Sequence, residues 1–371
     1  MGKKENLVTA VLFLAVIFGL GIAFFCVKDR VFSENENRYL AQAPKLAARD
    51  LASGVYMEEM DGYVSDQFVL RDFFMGTASE YRKLLGMRDI EGVYLADGGY
   101  LMQKTESRDV DTELVKQNIS YINKFFESCD SVKKERKVFM IVPTAALVLE
   151  DNLPAYAPEF DQEGIISEIS AEISEGGTLD VTGELKAVDK QSFYKTDHHW
   201  TTWGAFEAYL AYSRLYERNP AAEEFGFETV STDFRGSLYS KVLLPDAAYD
   251  EIVLANGIEN IPAICDGEDG SLYDYGALAK KDKYNVFLGG NYGRVDIEGG
   301  GEGTLLIIKD SFANSFVPFL TKDYEKIIML DMRYYMGSAK TLAEAEGVTD
   351  ILVLYNTANF ISDKNIIKLG L

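Results

Sequence analysis

Residues 7–26 form an unbroken apolar run in which Thr9 is the most polar side chain. A helix needs about 20 such residues to cross the hydrocarbon core of a bilayer, so this segment is fitted to lipid. Lys3 and Lys4 precede it, and Lys28 and Arg30 follow. A cleaved signal peptide has a shorter apolar core and a small-x-small site. This run ends in Ala23-Phe24-Phe25-Cys26, and bulky residues before the cysteine do not make a lipobox. The expectation is an uncleaved signal anchor, with residues 1–28 as cytoplasmic tip and membrane helix. Positive charge flanks both ends, so the inside rule weighs little, but the short stretch before the helix favours N-terminus in and body out. The alternative is a buried core helix, and nothing amphipathic in the run supports it.

The remainder has the means to fold on its own. Of the 371 residues 47% are hydrophobic and 12% aromatic, which excludes disordered, collagen-like and disulfide-scaffold classes. Asp and Glu total 59 against 37 Lys and Arg, a net charge of −22, so no nucleic-acid partner is expected. Cys26, Cys129 and Cys265 show no CxxC or metal-knuckle spacing. Free thiols are expected, although Cys129 and Cys265 could pair in an oxidising compartment.

Residues 29–88 read as a membrane-proximal helical lead-in: the polar stretch Phe32-Ser33-Glu34-Asn35-Glu36-Asn37-Arg38, then a mixed helical pattern over 56–70. Two short apolar runs around Asp97-Gly98-Gly99 signal a β-hairpin at the start of the body, residues 89–371. Beyond it, runs rich in Val, Ile and Leu at 138–142, 178–181, 304–308, 326–330 and 351–354 alternate with helical patterns. Continuous runs of that length suit strands covered on both faces. The expected class is α/β, three layers around a mostly parallel sheet. Turn residues and acids at 219–248 and 256–282 break the rhythm, so insertions or a cap at the sheet edge are expected around 219–282. No internal repeat is present.

The chain holds two histidines, and they are adjacent in Tyr194-Lys195-Thr196-Asp197-His198-His199-Trp200-Thr201-Thr202-Trp203-Gly204. Any imidazole chemistry must occur there. Neighbours in an extended segment point to opposite sides, which makes ligation of one metal by both awkward, and no HExxH accompanies them. No metal or cofactor is expected. Asp197 and His199 are two apart, so the carboxylate can accept the Nδ1 proton and orient the ring, the base and orienter of a catalytic triad. His198 is expected to be structural, and Thr201 or Thr202 to cap a helix over 204–216.

A nucleophile is available in Thr304-Leu305-Leu306-Ile307-Ile308-Lys309-Asp310-Ser311-Phe312-Ala313-Asn314-Ser315-Phe316, which reads as buried strand, tight turn, helix. Ser311 would sit at the carboxyl edge of the sheet, where open α/β folds build their sites, near a helix start that favours developing negative charge. Taken alone, an N-cap role for Asp310 or Ser311 explains the pair equally well. The combination with Asp197-x-His199 is what points to chemistry.

The segment Asp197-His198-His199-Trp200-Thr201 resembles the signature of the DHHW proteins, membrane-anchored extracytoplasmic proteins related to the alginate O-acetylation proteins, which carry an SGNH-hydrolase-like domain. The resemblance runs from about Phe32 onward and includes Glu36-Asn37-Arg38, Asp66-Gln67-Phe68-Val69-Leu70-Arg71, Phe287-Leu288-Gly289-Gly290-Asn291-Tyr292 and Lys309-Asp310-Ser311-Phe312. It implies an SGNH-hydrolase-like fold and a triad of Asp197, His199 and Ser311, in an order reversed from ordinary SGNH hydrolases. Lys309 stands where the alginate relatives have glycine, and the ordinary Asp-x-x-His spacing is absent.

The implied reaction is acetyl transfer. Ser311 takes the acetyl group and a sugar hydroxyl or water accepts it, giving an O-acetyltransferase or acetylesterase acting on a cell-surface polysaccharide. The Ser311 N–H and either Gly290 or the Asn291 side chain would hold the oxyanion, although Gly289-Gly290-Asn291 also reads as an ordinary turn. Tyr194, Trp200, Trp203, Tyr292, Tyr334 and Tyr335 are candidates to stack on sugar rings, and Arg333 to contact an anionic glycan. A transferase implies a multipass membrane O-acyltransferase partner to deliver the donor. The alternative is a non-catalytic glycan-binding or assembly scaffold with the same fold.

Overall fold

The computed structural model describes residues 3–36, 38–218, 220, 225–258 and 261–370. Asn37 of the lead-in motif and parts of the 219–282 stretch lie outside them. The chain divides into two compact units, Met1–Met87 with Ser240–Asp246, and Arg88–Tyr239 with Ala247–Leu371.

In the first unit, helix α1 (Lys3–Cys26) contains a stretch, Lys4–Cys26, long and apolar enough to cross a membrane. Its side chains are almost all exposed, as lipid contact requires and core packing does not. A short helix, Ala48–Ser53, and two longer ones follow, α2 (Val55–Gln67) and α3 (Arg71–Leu84). Glu36, Arg38, Asp66 and Arg71 of the two motifs meet in one cluster. The Arg38 guanidinium donates to both Asp66 carboxylate oxygens at 2.9 and 2.5 Å and to Glu36 at 2.9 Å, and Arg71 pairs with Glu36. Ala41 N–H also donates to Asp66 at 2.8 Å. Gln67 donates to the Arg30 and Ala41 carbonyls and accepts from Arg30 N–H. Arg38 and Asp66 form a fork-to-fork pair, the strong geometry for a carboxylate.

The second unit is built on an eight-stranded sheet. Its strands are β1 (Lys137–Val142), β2 (Gly177–Asp180), β3 (Pro262–Cys265), β4 (Glu268–Ser271), β5 (Arg294–Glu298), β6 (Thr304–Lys309), β7 (Lys326–Leu330) and β8 (Asp350–Asn356). The spatial order is β4-β3-β5-β7-β6-β8-β1-β2. From β7 to β2 all pairings are parallel, and β5, β3 and β4 extend that sheet antiparallel. All five apolar runs read from the sequence are strands of its parallel part. The 256–282 stretch contributes the edge strands β3 and β4, while Phe227–Phe234 and Asp250–Ala255 pair as a separate hairpin. Val93–Leu95 and Leu101–Gln103 form the antiparallel pair around Asp97-Gly98-Gly99.

The parallel strands read as continuous apolar runs because both faces are buried. Val138, Met140, Leu305, Ile307, Leu352 and Leu354 enter one core, and Phe139, Ile141, Leu306, Ile308, Ile351 and Val353 enter the other. Helix α4 (Thr112–Ser128) covers the second face with Val115, Ile119, Ile122 and Phe126, a 4-3-4 spacing that lines one helical stripe. Asp111 caps it by accepting from Glu113 and Leu114 N–H. The first face is covered by α5 (Thr202–Arg214), capped by Thr201, and α6 (Ala313–Leu320), every residue of which is buried. Cys265 and Cys129 belong to opposite cores and both are free. A three-layer α/β/α arrangement results, and it places the β6–α6 turn at the carboxyl edge of the sheet.

Candidate active site

Two segments far apart in sequence supply the site. The first is a loop closed by an antiparallel bridge between Phe193 and Trp200, with Thr201 N–H donating to Ser192 O at 2.9 Å. At its tip are Asp197, His198 and His199. The second is the turn Asp310-Ser311 after β6. Asp310 fixes that turn: its Oδ1 accepts from Phe312 N–H at 2.9 Å, and its Oδ2 from Asn356 N–H and Asn359 Nδ2, both at 2.8 Å. Burial pushes the Asp310 carboxyl up, and those bonds act against the rise. The structural role open to either turn residue thus falls to Asp310, and the Ser311 hydroxyl faces His199.

The geometry is a continuous line. Asp197 Oδ1 lies 2.6 Å from His199 Nδ1, and His199 Nε2 lies 2.7 Å from Ser311 Oγ. Asp197 Oδ1 also accepts from His199 N–H at 3.0 Å, and Oδ2 from Ser237 N–H at 2.7 Å. Burial alone would raise the Asp197 carboxyl. The charges of His198 and His199 and the bonds from His199 and Ser237 outweigh it and hold the carboxyl far below the usual carboxylate range. A carboxylate kept ionised in this position fixes the Nδ1–H tautomer of His199 and leaves Nε2 to accept a proton.

The surroundings lock the ring in place. Tyr284 stacks on His199 at 3.8 Å with planes 6° apart, and Phe312 packs against it at 4.9 Å. The Tyr284 hydroxyl donates to Ser311 O at 3.1 Å and shares a bond with Ser315 Oγ. Trp200 Nε1–H donates to Phe312 O at 3.1 Å and to Ser315 Oγ at 2.9 Å, tying the loop to the start of α6. The two histidine rings lie 3.9 Å apart, against the expectation that they face opposite ways. The segment is a bend rather than a strand, so the alternation of an extended chain does not apply. His198 Nδ1 bonds Ser237 Oγ at 2.7 Å.

Ligand atoms of Asp197, His198 and His199 lie within 4.8 Å of one another, a group able to hold a metal ion. Both ring nitrogens of His199 and Nδ1 of His198 already have protein partners, so an ion would have to break the Asp197–His199–Ser311 line.

The oxyanion candidates also have defined places. Leu288, Gly289 and Gly290 take φ values of 66°, 81° and 147°, and only glycine adopts the last without strain. Gly290 O accepts from Asn314 Nδ2 at 3.2 Å, and Asn291 Oδ1 accepts from Asn314 Nδ2 and Lys309 Nζ, both at 3.2 Å. Among the described residues the N–H groups of Ser311 and Gly290 donate to nothing. The candidates for sugar contact divide. Tyr194 and Trp200 are 1% and 0% exposed and have no face to offer a sugar. Arg333 lies beside Tyr334, which is 55% exposed. Arg333 is held by Asp331 at 2.8 and 2.5 Å and lines a cavity of about 330 Å3 with Asp310, Tyr355 and Asn359.

Several supports had no clear signal in the sequence. Gly236 and Ser237 back Asp197 from the 219–248 stretch. Asp250, 2% exposed, accepts from Lys195 N–H at 2.7 Å, Thr196 N–H at 2.8 Å and Thr196 Oγ at 2.6 Å, and so sets the chain just before Asp197.

The sequence model of the DHHW protein family matches residues 121–330, more than half the chain, including both site segments. The chain belongs to the DHHW protein family. Among solved structures, this DHHW protein is similar to a DHHW family protein from Eubacterium siraeum, with 21% identity over 76% of this chain and 95% of that one, and a TM-score of 0.59. It is similar to Bacillus cereus PatB1 carrying a sulfonyl adduct, with 18% identity over 75% and 98% of the two chains and a TM-score of 0.63. The O-acetyltransferase domain of Pseudomonas putida AlgJ matches at 15% identity over 75% and 98%, with a TM-score of 0.46. No curated protein matches the sequence. The fold is the SGNH-hydrolase-like one the sequence resemblance implies.

Proposed function

We propose that this DHHW protein is a membrane-anchored extracytoplasmic enzyme that moves acetyl groups on or off a cell-surface polysaccharide through an acyl-enzyme at Ser311. The observation that carries the reading is the line Asp197–His199–Ser311 at 2.6 and 2.7 Å, closed to bulk water on the Tyr284 side. In the proposed organisation residues 1–28 are tip and anchor, 29–88 the lead-in outside the membrane, and 89–371 the reacting domain with insertions around 219–282. The polysaccharide and the multipass acyltransferase donor partner come from the family resemblance.

The chemistry follows from the contacts. His199 Nε2 takes the Ser311 Oγ proton as Oγ attacks the acetyl carbonyl carbon, while Asp197 stays ionised and holds Nδ1–H. The oxyanion accepts from Ser311 N–H and from Gly290 N–H or Asn291 Nδ2; one such donor is typically worth about 10²–10³ in rate. The leaving oxygen takes the proton from His199, which leaves acetyl-Ser311. A sugar hydroxyl, or water in an esterase, then gives its proton to His199 and takes the acetyl group, while the bond to Ser311 Oγ breaks and His199 returns the proton to Oγ.

The test is phenylmethylsulfonyl fluoride labelling and p-nitrophenyl acetate turnover with the full chain in detergent micelles. The reading requires label on Ser311, with label and turnover lost in Ser311→Ala and His199→Ala, largely kept in His198→Ala, and unaffected by EDTA. Absence of both label and turnover in the wild type rejects it in favour of a non-catalytic protein, and loss on chelation redirects it to a metal at Asp197, His198 and His199.

A further inference from the structure

Lys309, the last residue of β6, is 1% exposed, a costly place for an ammonium group. Among the described residues it makes no ion pair. Its bonds run to Asn314 Oδ1 at 2.7 Å and Asn291 Oδ1 at 3.2 Å. An ammonium has donors only, so both amides must turn their oxygens toward it. Asn314 is left with Nδ2 directed at Gly290 O and Asn291 Oδ1. Asn291 Oδ1 accepts from two donors, so its Nδ2 faces away from this network, and among the described residues it donates to nothing. Lys309 lies two residues before Ser311 and Asn314 three after it, so the network grips both ends of the nucleophile turn.

We propose that Lys309 is a positioning residue for acyl transfer at Ser311: its ammonium group locks the Asn291 amide with Nδ2 presented to the oxyanion. The inference rests on the reading of Ser311 as nucleophile. It explains why a charged side chain is retained beneath a turn where no carboxylate pairs with it. A neutral amine can also accept, and it then no longer forces both amide oxygens inward.

Burial pushes Lys309 down to about 8; of the charged groups facing it, Asp331 and Asp310 favour the ammonium and Arg333 disfavours it. The nearby Cys265 thiol, itself pushed up to about 11 by burial, is neutral in that range. The ammonium is present below about pH 8 and lost above it, so turnover falls on the alkaline side.

The experiment compares wild type, Lys309→Met, Asn291→Ala and the double variant as full chains in micelles. It records kcat and KM for p-nitrophenyl acetate across the alkaline range, with sulfonyl labelling of Ser311 as the check on the nucleophile. The expected result for Lys309→Met is a kcat lower by about 10- to 100-fold with KM changed by less than about threefold, and no alkaline fall near pH 8. The double variant is expected to be no worse than Asn291→Ala, because the two act through one donor. A Lys309→Met protein with wild-type kcat and the same alkaline fall, still labelled at Ser311, overturns the inference and leaves the nucleophile standing. A wild type that neither labels nor turns over removes both. If Lys309→Met does not fold, Lys309→Gln, a neutral donor, is judged by the same alkaline criterion.

Discussion

Gly236 lies so close to Asp197 that a β-carbon at position 236 would fall 2.3 Å from both Cβ and Oδ2 of the aspartate. The backbone φ there is not in the left-handed region, so the glycine is required for space and not for conformation. The next residue, Ser237, donates its N–H to the same carboxylate. Gly236→Ala therefore pushes either the carboxylate off His199 or the Ser237 donor off the carboxylate. Positioning errors of about 1 Å can cost about 10²-fold in rate, and the expected outcome is a loss of that order in p-nitrophenyl acetate kcat. Ser237→Ala, which keeps the N–H, should cost far less.

Asp250 acts one step further back. Its carboxylate satisfies the buried N–H and hydroxyl of Thr196 and the partly buried N–H of Lys195. Asp250→Ala leaves those donors unmet, each worth roughly 1–3 kcal/mol when buried and unpaired. A destabilisation of about 2–4 kcal/mol is expected in denaturant unfolding, with slower labelling of Ser311 because the loop loses its anchor. Unchanged stability would show that water replaces the carboxylate.

These two residues mark what the sequence could and could not reveal. The parallel strands were legible because burial on both faces leaves no polar position in the run, and the Asp197-x-His199 pair because its contact is local. Ser311 was legible from a strand-turn-helix pattern. Gly236, Ser237 and Asp250 act on Asp197 and its flank across tens of residues, and a glycine that makes room for a distant carboxylate looks like any turn glycine. Residue type alone offers Tyr194 and Trp200 as sugar contacts. Both are core residues, because the loop that carries the site must itself be anchored by large side chains. The facing of His198 escapes the two-residue alternation of strands because the segment that carries it is a bend.

The membrane-proximal cluster gives a prediction in acid. The hydrogen bonds from Arg38 lower the Asp66 carboxyl to about 2, against the effect of burial and with help from Ala41 N–H. A depressed carboxylate contributes stability that is fully present above its unfolded value, near 4, and is lost as pH falls toward about 2. Amide-exchange protection of residues 38–71 should fall across that window in the wild type. In Asp66→Asn the protection should be weaker at neutral pH and flatter in acid; a parallel acid slope in the two proteins would refute the assignment.

Tyr284 combines two functions that substitution can separate. Its ring stacks on His199 at 3.8 Å, and its hydroxyl donates to Ser311 O at 3.1 Å. Tyr284→Phe keeps the stack and loses one bond to a carbonyl, while Ser315 retains Trp200 as a partner. Its kcat is expected to stay within roughly tenfold of wild type, since a neutral hydrogen bond is worth about 1 kcal/mol net. Tyr284→Ala removes the wall that holds the imidazole and opens a cavity beside it, at a cost of about 3–5 kcal/mol in stability. The imidazole then gains rotamer freedom and solvent, and Ser311 labelling should slow far more than in the Phe variant. Equal labelling rates in the two variants would mean that Asp197 alone orients His199 and that the stacked ring serves only to fill space.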